Sequence, residues 1–314
     1  MEQGNHSSVT EFILLGLTEQ EALRGPLFGV FLVMYLLNVL ANGTLITVIV
    51  KNAQLHIPMY FFLQYLASVD ICLATVTVPK MLITLISDKK TIYFSECMTQ
   101  LFFFSLFVGS ECVILSIMAY DRYVAICYAL HYVSIMSRKV CLGFAAASWI
   151  INFLNGMIHT LLIARLSFCD SNKIKHFFCD LTPLMKLSCT DTSINELVIF
   201  TEGSLIVVVP FLIILFSYAR ILNTILKMQS TSGRRKVFST CSSHFIVVAL
   251  FYGTILFMDF RPSSSYSLEK DRIASVVYNV LSPMLNPFIY SLRNRDVKTA
   301  LWRMLQRKIS SSTR

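Results

Sequence analysis

Seven apolar stretches dominate this chain and leave little choice of architecture. They cover residues 25–50, 57–86, 98–120, 140–163, 197–219, 237–258 and 273–290. A helix needs about 20 residues to cross about 30 Å of hydrocarbon. Only a helix or a closed barrel satisfies its own backbone polar groups there. Composition agrees: of 314 residues, 55% are hydrophobic and 14% charged, with a mean hydropathy of +0.64, outside the range of a soluble domain. The expected fold is all-α, a seven-transmembrane helix bundle. It forms one domain over 25–290, between an extracellular N-terminus (1–24) and a cytoplasmic tail (291–314).

Charge fixes the orientation. Segments 51–56, 121–139, 220–236 and 291–314 carry sixteen Lys and Arg against two acids, Asp121 and Asp296; the opposite face carries ten against thirteen. Basic residues near span ends stay in the cytoplasm, so the N-terminus is expected outside and the C-terminus inside. The net charge of +9 then reflects topology and attraction to anionic membrane lipids, and no nucleic-acid partner is expected. Residues 1–24 lack the apolar core of a cleavable signal peptide, so the first span is expected to act as the signal. Asn5-His6-Ser7 fits the glycosylation acceptor pattern on the outer side.

Four of the nine cysteines, Cys97, Cys169, Cys179 and Cys189, fall on the oxidising outer face. Four cysteines allow three pairings. Three of them lie in the long outer loop 164–196, which bridging would hold over the bundle mouth. The alternative is that the bonds only stabilise.

Ionisable groups at mid-membrane usually mark function. Asp70 and Glu111 sit near the middle of spans two and three, at comparable depth if those helices pack antiparallel. Facing carboxylates either share a proton or hold a cation between them, and a small hydrated pocket able to take sodium is the favoured reading. Glu202, near the outer end of span five, and Asp259, at the outer end of span six, either reach a ligand cavity or sit at its wet rim. Pro210 interrupts span five, and Pro283 and Pro287 break the ladder of span seven near Asn286 and Tyr290. With the Asp121-Arg122 pair at the inner end of span three, these kinks suggest a bundle with two inner-face arrangements. Beyond span seven, Val297, Leu301, Met304, Leu305 and Ile309 recur at helical spacing between basic residues, as in a short amphipathic interfacial helix.

An odd number of spans counts against an inverted-repeat transporter. The chain holds no H-E-x-x-H, G-x-S-x-G or P-loop motif, so it is not read as an enzyme.

Five blocks carry a family resemblance: LHIPMYFFLQYLASVD (55–70), MAYDRYVAIC (118–127), the outer loop with HFFCD (176–180), KVFSTCSSHF (236–245) and PMLNPFIYSLRN (283–294). In order and spacing the chain resembles the olfactory (odorant) receptors of the rhodopsin-like G-protein-coupled class. The resemblance implies Cys97–Cys179 and Cys169–Cys189 bridges, and a sodium-binding pair in Asp70 and Glu111, with no other cofactor. It implies G-protein coupling through Arg122, restrained by Asp121 and followed by Tyr123. Packing and switch positions would be Asn42, Asp70, Trp149, Pro210, Asn286, Pro287 and Tyr290.

The implied cavity for a small volatile odorant is lined by Phe104, Ser105, Val108, Gly109 and Cys112 on span three, and by Asn155 and His159 on span four. Glu202 and Ile206 on span five, Tyr252, Ile255, Leu256 and Asp259 on span six, and Tyr278 on span seven complete it. His159 has an alternative role as a helix-to-helix hydrogen-bond partner. The implied partners are an odorant, a stimulatory G protein raising cAMP, and membrane lipids. The implied location is the plasma membrane of olfactory cilia. The alternatives are a ligand-gated channel or transporter, or a related receptor for a non-odorant metabolite. The chain departs from the family after Asp-Arg-Tyr, where Ala129 stands in place of a usual proline, which puts the second inner loop in question.

Overall fold

The structure, a computed structural model, describes residues 9–18, 20–87, 89–169, 171–259 and 268–312. The predicted spans fold as helices, and all but the second outrun their apolar cores. The first three are α1 (Glu21–Lys51), α2 (Pro58–Ile86) and α3 (Phe94–Cys127); after a short inner-loop helix, α4 (Tyr132–Ile135), comes α5 (Arg138–Ala164). The outer loop then holds α6 (Leu181–Met185). The fifth span comprises α7 (Ser193–Gly203), a π-helical turn (Ser204–Val208) and α8 (Val209–Lys227). The sixth is α9 (Thr231–Asp259). The seventh joins α10 (Leu268–Val276), a second π turn (Val277–Leu281) and α11 (Ser282–Arg293), and α12 (Arg295–Ser312) follows it. Among the described residues, five of these runs are long and apolar enough to cross a membrane, and the sixth span adds the shorter apolar segment Cys241–Phe257.

Burial shows how they pack. The apolar window of α3 is 72% buried, against 28% for α1 and 22% for both α5 and the fifth span. Helix α3 is therefore the axis of the bundle, while the others turn an apolar flank outward. Leu40, Ile150, Phe200 and Leu226 are all exposed there, a surface that water would not tolerate and hydrocarbon would.

Both π turns have a local cause. A proline within a helix lacks an N–H and its ring collides with the carbonyl four residues earlier. Ile206 stands in that relation to Pro210, and Asn279 to Pro283, and each lies inside a π turn. The widened turn relieves the collision. For Pro287 the carbonyl left over is that of Pro283, and the Asn42 amide donates to it at 3.1 Å. That bond ties α1 to the seventh span at its weakest point.

At the end of the bundle expected to face outward, the N-terminal segment is not merely polar, as its composition suggests. Strand β1 (Glu11–Leu14) pairs antiparallel with β2 (Thr91–Tyr93) and parallel with β3 (Lys173–Ile174), giving the order β2-β1-β3. Phe12 and Leu14 point the same way along the strand and are fully buried, with Ile92, Leu101, Ile163, Phe168, Ile174 and Leu184, in a second apolar cluster apart from the main core. Disulfides Cys97–Cys179 and Cys169–Cys189, with Cα atoms 5.5 and 5.9 Å apart, bind the long outer loop to α3 and to itself.

At the opposite end of the bundle, α12 buries Val297 and Ala300 and packs Leu301 and Met304 against the core, with Trp302 exposed. The amphipathic spacing read from sequence accounts for this, although the side chains of Leu305 and Ile309 lie outside the described set. Contacts with α2 and with the turn before it fix its direction. Tyr60 shares its hydroxyl between Asn294 (3.1 Å) and Asp296 (3.2 Å), and Arg303 donates to Gln54 at 3.3 Å.

Candidate functional site

Four layers stack along α3 from the outside inward. The outermost is a lid. His176, Phe177 and Phe178 of the outer loop are buried in a mutually packed aromatic cluster, and Phe178 meets Phe104 of α3 at 4.8 Å between ring centroids. Gln100 clamps the lid from below, donating to the Val76 carbonyl and accepting from Cys179 N–H, both at 2.8 Å. His176 lies 3.2 Å from Ser275 Oγ on α10, and Arg272 reaches the carbonyls of Leu17 and Lys175 at 3.5 and 3.4 Å. Burial first, and the Arg272 charge second, push the His176 imidazole down to about 3. It is neutral at any physiological pH.

Beneath the lid lies the second layer. Phe104 faces Tyr278 at 6.1 Å, His159 Nε2 approaches Glu202 Oε2 to 3.6 Å across α5 and α7, and Tyr252 donates to the Cys112 carbonyl at 3.2 Å. Gly109 has a steric reason: a Cβ there would collide with Asn152 Oδ1 and come within 3.5 Å of Ile206. The same logic holds at Gly156, where a Cβ would sit 3.0 Å from the Phe102 carbonyl. Small residues at both positions let α3 and α5 approach closely.

The third layer is polar and sealed. Asp70 and Glu111 are both 0% exposed. Asn286 donates to Asp70 Oδ2 at 3.0 Å, and Asn38 to the Asp70 carbonyl at 3.3 Å. Asp70 and Glu111 lie within electrostatic reach of one another. Yet Asp70 Oδ1, both Glu111 oxygens and the side-chain oxygens of Asn42, Asn279, Ser282 and Asn286 have no hydrogen-bond partner among the protein groups. Buried oxygens left over in such number are unusual. Asn279 Nδ2 is left over as well, but carboxylate, amide and hydroxyl oxygens suit a hard cation, so the residues fit a sodium ion. Among the described residues no cluster of three or more His, Cys, Asp or Glu offers a transition-metal site.

The fourth layer is the latch. Helix α3 continues past Arg122 to Cys127, and the Asp-Arg pair is packed inside the bundle, with Asp121 1% exposed and Arg122 6%. Asp121 Oδ1 accepts the Tyr132 hydroxyl at 2.8 Å, and no salt bridge joins Asp121 to Arg122 among the described residues. Tyr132 comes from the inner loop, where Ala129–His131 forms a 3₁₀ turn that leads into α4. Ala129 therefore supports an ordered loop without proline. Arg122 lies within electrostatic reach of Tyr60, Tyr218 and Tyr290. Just above it, buried His244 of α9 receives the Tyr218 hydroxyl on Nδ1 at 2.7 Å and reaches the Leu115 carbonyl of α3 through Nε2 at 3.0 Å.

A family model described as "Olfactory receptor" matches residues 31–308. The chain is similar to olfactory receptor 1F1 of Homo sapiens, with 52% identity over 98% of each chain. It is 50% identical to olfactory receptor 1f45 of Rattus norvegicus over 99% of each, and 49% identical to olfactory receptor 1M1 of Mus musculus over 100% of each. The chain belongs to the olfactory receptor family. It is thus a multi-pass membrane receptor and not an enzyme.

In this receptor the residues expected to line the cavity differ in burial. Phe104, Ser105, Cys112, His159, Tyr252, Ile255 and Tyr278 are buried, while Val108, Asn155, Glu202, Ile206 and Leu256 are half-buried around them. Gly109 differs, because its open side is filled by Asn152. The side chain of Asp259 and all of Asn5 lie outside the described residues. Trp149 is a packing residue on the outer flank of α5, stacked on Tyr65 at 5.8 Å. Tyr123 lies edge-on to Tyr128 and Phe216, and Tyr290 is buried with no hydrogen-bond partner for its hydroxyl. Sequence reasoning missed three residues: His244, Tyr218 and Tyr132. His244 stood in the quoted KVFSTCSSHF block; a lone buried histidine at a span's inner end was the available signal.

Proposed function

We propose that the receptor binds a small volatile odorant beneath the lid and passes the event to a stimulatory G protein, raising cAMP. The supporting observation is that α9 is pinned to α3 at two depths, by Tyr252 on the Cys112 carbonyl and by His244 on the Leu115 carbonyl. The upper pin borders the cavity, and the lower one stands over Arg122. A ligand that binds better when the upper pin rearranges shifts α9 as a unit, since a ligand moves an equilibrium only by its differential affinity. The lower pin then opens and frees Arg122 toward the cytosol.

The walls are aromatic and aliphatic, with the His159–Glu202 contact and Asn155 as polar anchors. This suits a compact apolar ligand carrying one hydrogen-bonding group, held with modest affinity because it has little surface to bury. On the inner face, Leu130 is 98% and Val133 83% exposed, an apolar knob beside the latch that fits docking of a G-protein α-subunit. Asp70 and Glu111, with the Asn286 amide oxygen and Ser282 hydroxyl, would hold sodium, which supplies positive charge between two carboxylates and so keeps both ionised.

The charge asymmetry supports an N-terminus outside the cell, and family membership supports the plasma membrane of olfactory cilia as the site of action. A cAMP reporter screen of a broad volatile panel tests the reading. Responses that vanish in cells lacking the stimulatory α-subunit support it, whereas ligand-gated current in those cells would replace it with a channel.

A further inference from the structure

A second hollow lies on the outside of the bundle. Between the outer half of α9 and α10 with its π turn, a cavity of about 590 Å³ is walled by Ala249, Gly253 and Phe257 on one side and Ile273 and Val277 on the other, with Lys270 at its outer rim. Its depth comes from Gly253, where an added Cβ would meet nothing within 4 Å. Thr254 also lines it, but its hydroxyl is spent on the Leu250 carbonyl at 2.7 Å. The walls therefore offer almost no hydrogen bonding. Phe257 is 50% and Ile273 64% exposed, so the hollow opens sideways, toward lipid, and not into the odorant cavity. Lys270 is exposed and makes no salt bridge among the described residues.

An apolar trough with one cation at its water-facing end matches an amphiphile of opposite polarity: an acyl chain below and an anion above. From Ala249 to Phe257 the helix rises about 12 Å, the length of an extended medium-length chain. Longer phospholipid tails would leave much of their length outside. Anionic phospholipids also concentrate in the cytoplasmic leaflet, whereas Lys270 stands on the outer side in the orientation proposed above. We propose that this groove is a lateral binding site for a medium-chain fatty acid of the outer leaflet, its chain against Gly253 and its carboxylate on the Lys270 ammonium. The lysine stem lies along the apolar rim while its head stays at the interface, where carboxylate and ammonium pair without full desolvation.

The test uses the full-length receptor in phosphatidylcholine nanodiscs, with a diazirine analogue of decanoic acid and the matching analogue of decanol as photolabels. The expected result is carboxylate-probe labelling on peptides containing residues 249–257 and 270–277, reduced severalfold by Gly253→Phe, which fills the trough. Lys270→Gln should reduce labelling by the acid severalfold and leave labelling by the alcohol unchanged. Ala249→Phe is a second filling variant should Gly253→Phe fail to fold. The proposal is overturned by equal labelling of wild type and both filling variants, by labelling confined to other helices, or by indifference of the acid probe to Lys270→Gln. Full displacement of the acid probe by a phosphatidylglycerol bearing long chains would also overturn it in favour of a phospholipid. None of these readouts depends on odorant response or G-protein coupling.

Discussion

Single residues in this receptor carry unequal shares of the structure. Arg122 is buried with its Nε unpartnered, a guanidinium held ready more than bound. Arg122→Ala is expected to abolish odorant-evoked cAMP with surface expression largely kept; full signalling by the variant would remove Arg122 from the mechanism. His244 holds α9 closed through two bonds. His244→Phe keeps the volume but loses both, and should raise ligand-independent cAMP severalfold in a dose-matched reporter assay. His176 gives a pH dependence. Its folded value near 3 lies below the ordinary 6.5, so the unfolded chain takes up the proton first. Lid stability from this residue is complete above pH 6.5 and declines below it, by about 2 kcal/mol at pH 5. Thermal unfolding of wild type and His176→Gln, followed from pH 7 to 5, should show a steeper fall for the wild type.

At the scale of elements, hydropathy revealed the spans and little else did. Helix ends lie beyond the apolar stretches because polar residues extend a helix once its middle is anchored: α3 starts at Phe94 and ends at Cys127, beyond the apolar core of 98–120. The π turns were invisible, since prolines announce a kink but not how the backbone absorbs it. Strand β1 was hidden for a different reason. Glu11-Phe12-Ile13-Leu14 is too short to show alternation, and its partners lie far away in sequence. The expected cavity positions rest on the family resemblance, while the Asn152 packing at Gly109 depends on a helix approach that no spacing reports. Phe12 is buried between Phe94 and Phe168, at 6.1 and 5.1 Å. Phe12→Ala should cost the outer cluster about 3–5 kcal/mol, seen as lowered surface expression and an earlier thermal transition, with the inner latch unaffected.

At the scale of the whole molecule, the sealed polar layer lies between cavity and latch, so its charge state bears on both. A sodium ion there would stabilise the arrangement in which Asn286 and Asp70 are bonded. Sodium chloride, compared with equimolar choline chloride, should raise the thermal midpoint of the purified receptor and lower odorant potency; Asp70→Asn should erase both effects. An unchanged midpoint in wild type would remove the ion from the site.

The outer sheet also sets an order of events during synthesis. Strand β1 leaves the ribosome early, yet one of its partners ends at Tyr93 and the other at Ile174. At about 5–20 residues per second, Ile174 follows Leu14 by roughly 10–30 s. Throughout that interval Phe12 and Leu14 have no place to hide, and in the orientation proposed above the nascent receptor presents them to the lumen of the secretory pathway. Chains arrested before residue 173 should co-purify with lumenal chaperones, and chains arrested after the fifth span should release them. Equal capture at both lengths would show that β1 docks without β3.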